Sequence, residues 1–153
     1  NLIMKNDDIR TLLFKIEILR RQFLQPPFIK LGLTVGEGQP RILKALLTKG
    51  SMTQRELADE CLIDVTTMSR TLDRLEKAGL ITRTKKPNCR RSWLIDLTDD
   101  GVEKAKEVCK IFDMADSTFC KDIPVDELET LFSSLKKIEH NLETTVNQNN
   151  NND

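Results

Sequence analysis

Thr66, Thr67, Arg70, Arg74 and Lys77 share one side of a wheel drawn at about 100° per residue, and Val65, Met68, Leu72 and Leu75 share the other. Asp73 lies at the edge of the polar stripe. Two guanidiniums, an ammonium and two hydroxyls in line suit a helix laid in a major groove. Arginine pairs bidentately with guanine O6 and N7, while lysine and hydroxyls hold phosphates. Just downstream, five of the ten residues from Thr82 to Arg91 are basic: Arg83, Lys85, Lys86, Arg90 and Arg91. A hairpin tip carrying Arg90 and Arg91 has the size and charge to enter a minor groove. Each set also has a plain reading, the first as a solvated helix face and the second as an edge hairpin kept soluble by its charges. Their order along the chain favours DNA.

Other chemistries find little support. There is no phosphate-cradling glycine loop and no nucleophile beside an evident base, so no catalytic residue or cofactor is expected. Cys61, Cys89, Cys109 and Cys120 form no CxxC pair, and His140 is the single imidazole, which argues against a metal site. Cys109 and Cys120 are eleven residues apart, roughly 16 Å along a helix and too far for a disulfide within it. Cys89 sits in an electropositive stretch, where a lowered thiol pKa would make it a redox switch. The alternative is an ordinary surface cysteine.

The formal net charge of zero hides an uneven distribution. Residues 1–48 carry eight basic and four acidic side chains, residues 49–95 ten and six, and residues 96–153 six and fourteen. A local basic face is therefore compatible with a neutral total. No apolar run has the length of a membrane span, and no signal-peptide layout is evident, so a soluble cytoplasmic protein is expected. Four thiols fit a reducing compartment. The length suits a single domain over 1–153. The Gln/Asn-rich residues 147–153 are expected to be a disordered tail.

The elements that must position the polar stripe have clear punctuation. Residues 5 to about 24 carry apolar groups on two helical faces and are expected to stop at Pro26-Pro27. A glycine-bearing connector leads to a helix from Gln39 to Lys49, with Ile42, Leu43, Leu46 and Leu47 inward and Gly50 closing it. Thr53-Gln54-Arg55-Glu56 has the form of a capping box, and Thr53 and Gln54 join the candidate DNA contacts at its start. Asp64 caps the helix bearing the stripe, and Gly79 suits its left-handed exit. Strands over Leu80–Lys85 and Ser92–Leu97 flank a turn at Pro87-Asn88, and Thr98 caps a long helix with Val102, Ala105, Cys109, Phe112 and Phe119 along it. In the last helix Leu128, Leu131, Leu135, Ile138 and Leu142 step three, four, three, four, the period of helices packed lengthwise. These patterns predict a mainly α fold with a small β-hairpin wing. The winged helix-turn-helix spans 33–97, and helices over 5–24 and 98–146 hold a homodimer together.

Leu33-Thr34, Gln39, Ile42-Leu43 and Thr53 to Ala58 resemble the start of a MarR-family domain. Leu75 to Ile81 is similar to that family's end of recognition helix and first wing strand, and Arg90-Arg91, Leu97-Thr98 and Gly101 resemble its wing and following helix. Cys89 stands where the family pattern usually has an Asp, two residues before the second wing arginine. The resemblance implies a homodimeric transcriptional regulator on a pseudo-palindromic operator, a repressor released by a small-molecule effector. Two alternatives stand beside it: a winged-helix protein-interaction adaptor without DNA binding, and a cysteine-based redox-sensing regulator.

Overall fold

The computed structural model describes residues 4–34, 36–88 and 92–151. Its contacts divide the chain into two compact units, residues 1–115 and 116–153. Among the described residues six helices and three strands follow in the order α1 (Asn6–Lys30), α2 (Gln39–Lys49), β1 (Met52–Thr53), α3 (Gln54–Cys61), α4 (Val65–Lys77), β2 (Ile81–Lys85), β3 (Trp93–Leu97), α5 (Asp99–Phe119) and α6 (Val125–Asn150). The predominance of helix with a small antiparallel hairpin is the fold class expected from the sequence.

The prolines do not end α1. Pro26 and Pro27 lie inside it, and the helix continues to Lys30. Proline removes a backbone donor from a helix interior, but here the helix carries Leu24, just before the prolines, and Phe28, just after them, into the core. Phe28 meets the Phe112 ring edge-on, with centroids 5.2 Å apart. That burial outweighs the missing bonds. The helix closes where Leu31 N–H donates to Pro27 and Phe28 carbonyls.

The core of the first unit is built from Ile42, Leu43 and Leu46 of α2, Leu57 and Cys61 of α3, Met68, Leu72 and Leu75 of α4, Ile81 and Ile95 of the hairpin, and Ala105 and Val108 of α5. On α5 the fully buried groups are Ala105 and Val108, and Cys109 is only half-buried. Ala105 and Phe112 thus pack on the core as the sequence steps predict, Val108 takes the buried place beside Cys109, and Phe119 is exposed. Gly101 explains how α5 approaches the wing: a Cβ built there would stand 1.9 Å from the Leu80 carbonyl oxygen.

The sheet order is β1-β3-β2. In the hairpin Ile81 pairs with Leu97 and Lys85 with Trp93, and Met52 pairs with Ile95 on the other side of β3. The two-residue strand β1 has too little sequence to announce itself by periodicity and is not predicted. It ties the start of α3 to the wing.

In the second unit α6 runs to Asn150, so residues 147–150 are helical rather than part of a disordered tail. Glutamine and asparagine are tolerated in a helix that is already propagating, because extension costs far less than nucleation. No residue of α6 is buried.

Candidate nucleic-acid interface

Two caps set the start of the two helices that would face DNA. Thr53 Oγ1 accepts from Glu56 N–H at 3.2 Å, and a Glu56 carboxylate oxygen accepts from Thr53 N–H at 3.1 Å. This is the reciprocal capping box expected from the sequence. Asp64 then caps α4, accepting the Thr67 N–H at 2.8 Å and the Thr67 hydroxyl at 2.7 Å. Those two bonds, the backbone one first, hold the Asp64 carboxyl below the usual carboxylate range. Between the helices Leu62 takes a left-handed backbone, φ 55°. At the far end Gly79 adopts φ 76°, as its place after the helix predicts.

Helix α4 presents the stripe. Thr66, Arg70, Arg74 and Lys77 are exposed, whereas Met68, Leu72 and Leu75 are fully buried. Val65 was expected inward and instead is 74% exposed. It occupies the first turn, beyond the edge of the core, where no neighbouring element covers it. Thr71 replaces it as a buried position; its hydroxyl donates to the Glu37 and Thr67 carbonyls at 3.0 and 2.8 Å. Thr67 is only partly exposed and belongs mainly to the cap. Thr53 and Gln54 are likewise half-buried.

The stripe's cations are not equivalent. Arg74 Nη1 is paired with the Glu37 carboxylate. Among the described residues neither Arg70 nor Lys77 has an ion-pair partner. Asp73 and Glu76, which would otherwise repel phosphate, both turn to Arg83 of β2 at 2.6 and 3.0 Å. Arg83 is therefore a strut between recognition helix and wing and not one of the wing's outward cations. The Arg83 hydrogen bond lowers the Glu76 pKa, and the bonds from Glu76 and Asp73 raise that of Arg83. On the hairpin, Lys85 lies over the Trp93 ring, 5.5 Å from its centroid. Arg90, Arg91 and Cys89 lie outside the described residues.

Sequence reasoning missed Glu37. Its one legible signal was its place between Gly36 and Gly38 in a connector of otherwise uncharged residues. Gly38 takes φ 83°, and a Cβ there would meet Ile63 Cδ1 at 2.3 Å. The connector is thus pressed against the segment joining α3 and α4. The same turn borders a cleft of about 400 Å³, lined also by Arg20, Arg21, Phe28, Arg41 and Phe112. Glu17 at its edge binds both Arg20 and Arg21. The Arg20 hydrogen bond is the main cause of a Glu17 pKa lowered to about 2.

The MarR family model matches residues 37–93, the stretch holding α2, α3, α4 and the first wing strand. Over these residues the chain is similar to the MarR family. Solved structures share more than that segment. A MarR-family transcriptional regulator from Listeria monocytogenes, complexed with 26mer DNA, is 26% identical, covering 85% of this chain and 87% of that one with a TM-score of 0.73. A mutant MarR from E. coli complexed with operator DNA is 24% identical, covering 86% of this chain and 93% of that one, with a TM-score of 0.74. NadR in complex with 4-hydroxyphenylacetate is 23% identical and covers 90% of this chain and 96% of that one, with a TM-score of 0.71. The likeness of fold thus extends beyond the matched segment, over 85–90% of this chain.

The thiols among the described residues are unpaired. Cys61 is buried against the core, and that burial pushes its pKa up to about 11. A buried neutral thiol of this kind is inert as a nucleophile or sensor.

Proposed function

We propose that this protein is a sequence-specific DNA-binding transcriptional regulator that works as a homodimer, with α4 in the major groove. The observation that carries the reading is α4 itself: its apolar face is sealed into the core while Thr66, Arg70, Arg74 and Lys77 stand on the opposite, open face. Arg70 reads a base edge and Lys77 holds a phosphate. Thr53, Gln54 and Thr67 sit where the two helices begin and add hydroxyl or amide contacts. Arg90 and Arg91, which follow Cys89 in the sequence between β2 and β3, supply minor-groove or phosphate contacts.

The apolar groups left open on the terminal helices support the dimer. Leu12, Phe14 and Leu19 of α1 are exposed, and so are Leu131, Phe132 and Leu142 of α6. Soluble monomers rarely leave such runs uncovered, and a second copy covers them. We further propose that the protein is a repressor and that a small effector enters the cleft beside Arg20 and Arg41, loosening operator binding. The alternatives are an adaptor without DNA binding and a sensor acting through Cys89.

Alanine substitution tests the assignment. Arg70→Ala should lower operator affinity by about 1–3 kcal/mol and relax preference at one base position. Lys77→Ala should weaken operator and random DNA alike. Neutralising Arg90 and Arg91 together should shrink the slope of log affinity against log salt by up to about two units. A protein whose DNA affinity ignores all these changes is an adaptor rather than a reader of DNA.

A further inference from the structure

We infer that Glu37 is a specificity-determining residue for DNA reading: it holds Arg74 by one edge so that the arginine discriminates bases rather than gripping phosphates. This rests on the assignment of α4 to the major groove. Three observations meet at Glu37. Its carboxylate pairs with Arg74 Nη1. Its backbone carbonyl accepts the hydroxyl of buried Thr71, one helical turn earlier on α4. Its neighbour Gly38 is pressed onto Ile63 in a conformation that a side chain would not allow. The carboxylate is therefore delivered to α4 from an anchored turn and not from a swinging loop.

The consequence follows from guanidinium geometry. Arginine presents its donors in a rigid planar fork. With Nη1 held by Glu37, the edge formed by Nε and Nη2 still offers two parallel N–H groups, the set needed for guanine O6 and N7. Holding the other edge limits the rotamers Arg74 can sample and presents that pair in one direction. The charge has a second effect. Glu37 cancels the positive charge of Arg74, so this arginine adds little to the counterion release that drives binding to any sequence. A neutralised, oriented arginine contributes to the correct site and hardly at all to random DNA.

The experiment measures the affinities of the full-length protein for a selected operator and for random duplex DNA across a salt series. In Glu37→Gln the Thr71 bond to the backbone carbonyl is kept, so the turn should stay in place, checked by an unchanged unfolding midpoint. Releasing one arginine to a phosphate should steepen the salt slope by about 0.9 and raise random-DNA affinity roughly fivefold at physiological salt. The operator-to-random ratio should fall by a similar factor, with relaxed preference at one base position. Glu37→Asp retains the charge and loses the reach, so it should relax that base preference without steepening the slope. In an Arg74→Ala background, Glu37→Gln should have none of these effects. If Arg74→Ala weakens operator binding but both Glu37 variants keep the wild-type ratio and base preference, α4 reads DNA and Glu37 does not position it. The same Glu37→Gln effect with and without Arg74 would also overturn the inference, because the carboxylate would then act through general charge. If Arg70→Ala and Arg74→Ala both leave operator binding unchanged, the groove assignment fails and the inference with it.

Discussion

The winged helix and the last helix treat their apolar residues in opposite ways. Across α2 to β3 most large apolar groups are covered by their own chain, Leu62, Val65 and Trp93 excepted; Ile42, Leu57, Met68, Leu72 and Ile95 have no solvent access. Along the 26 residues of α6 nothing is buried, and Phe132, Leu142 and Val146 are all more than half exposed. Both stretches carry helical periodicity, so pattern alone does not distinguish them. The difference is where the partner comes from. The winged helix completes its core within one chain, whereas α6 has a seam and no cover. The first region leaves the polar side of α4 exposed on a sealed core; the second leaves exposed apolar groups, which fits the homodimer proposed above.

The sharpest way to break this contrast is to damage each region and compare the costs. Leu72→Ala should destabilise the chain by about 2–5 kcal/mol, because it opens a cavity in a sealed core. Gly101→Ala should cost about 1–3 kcal/mol, since its methyl group would press on the Leu80 backbone. Leu142→Ala should fall within about 0.5 kcal/mol at dilutions where the chain is monomeric. Chemical denaturation at several protein concentrations would measure all three. Equal costs for Leu72→Ala and Leu142→Ala in the dilute chain would erase the distinction.

A second test addresses the seam directly. Leu131→Glu or Phe132→Glu should raise the dimer dissociation constant by at least tenfold while leaving the circular dichroism of the winged helix intact. Operator affinity should fall with it, because two linked half-site contacts become one. Sedimentation of the wild-type chain as a monomer at micromolar concentration would contradict the dimer assignment.

How much of this was legible in the sequence depended on whether a signal was local. The capping box at Thr53 and Glu56, the Asp64 cap and the Gly79 exit depend on residues three or four positions apart or on one backbone conformation, and each lies where the sequence placed it. The errors were tertiary. Pro26 and Pro27 read as a stop because the pull of Phe28 towards Phe112 comes from a helix more than 80 residues away. Val65 read as core because a wheel does not know where the core ends. The stripe on α4 was visible, but its wiring was not. Glu37 with Arg74 and Arg83 with Asp73 join residues 37 and 10 positions apart, and no periodicity links them.

A smaller effect separates local from distant wiring in the cleft. Glu17 is held to a pKa of about 2 chiefly by its Arg20 hydrogen bond, against an ordinary value of 4.5. A depressed carboxyl favours the folded state above the unfolded pKa, and that contribution is lost as pH falls from about 4.5 towards 2. Solvent screening of this exposed pair keeps the effect on stability small. In a side-chain carboxyl titration by NMR, Glu17 should remain ionised at pH 3, and Arg20→Gln should return its midpoint towards 4.5. An unchanged midpoint in that variant would assign the shift to another neighbour.

The most direct test of the central claim is selection of duplexes from a random DNA pool by the purified wild-type protein. A homodimer presenting two copies of α4 should enrich an inverted repeat, with half-site centres about one helical turn apart. Recovery of no preferred sequence, or of a single unrepeated half-site, would contradict the account.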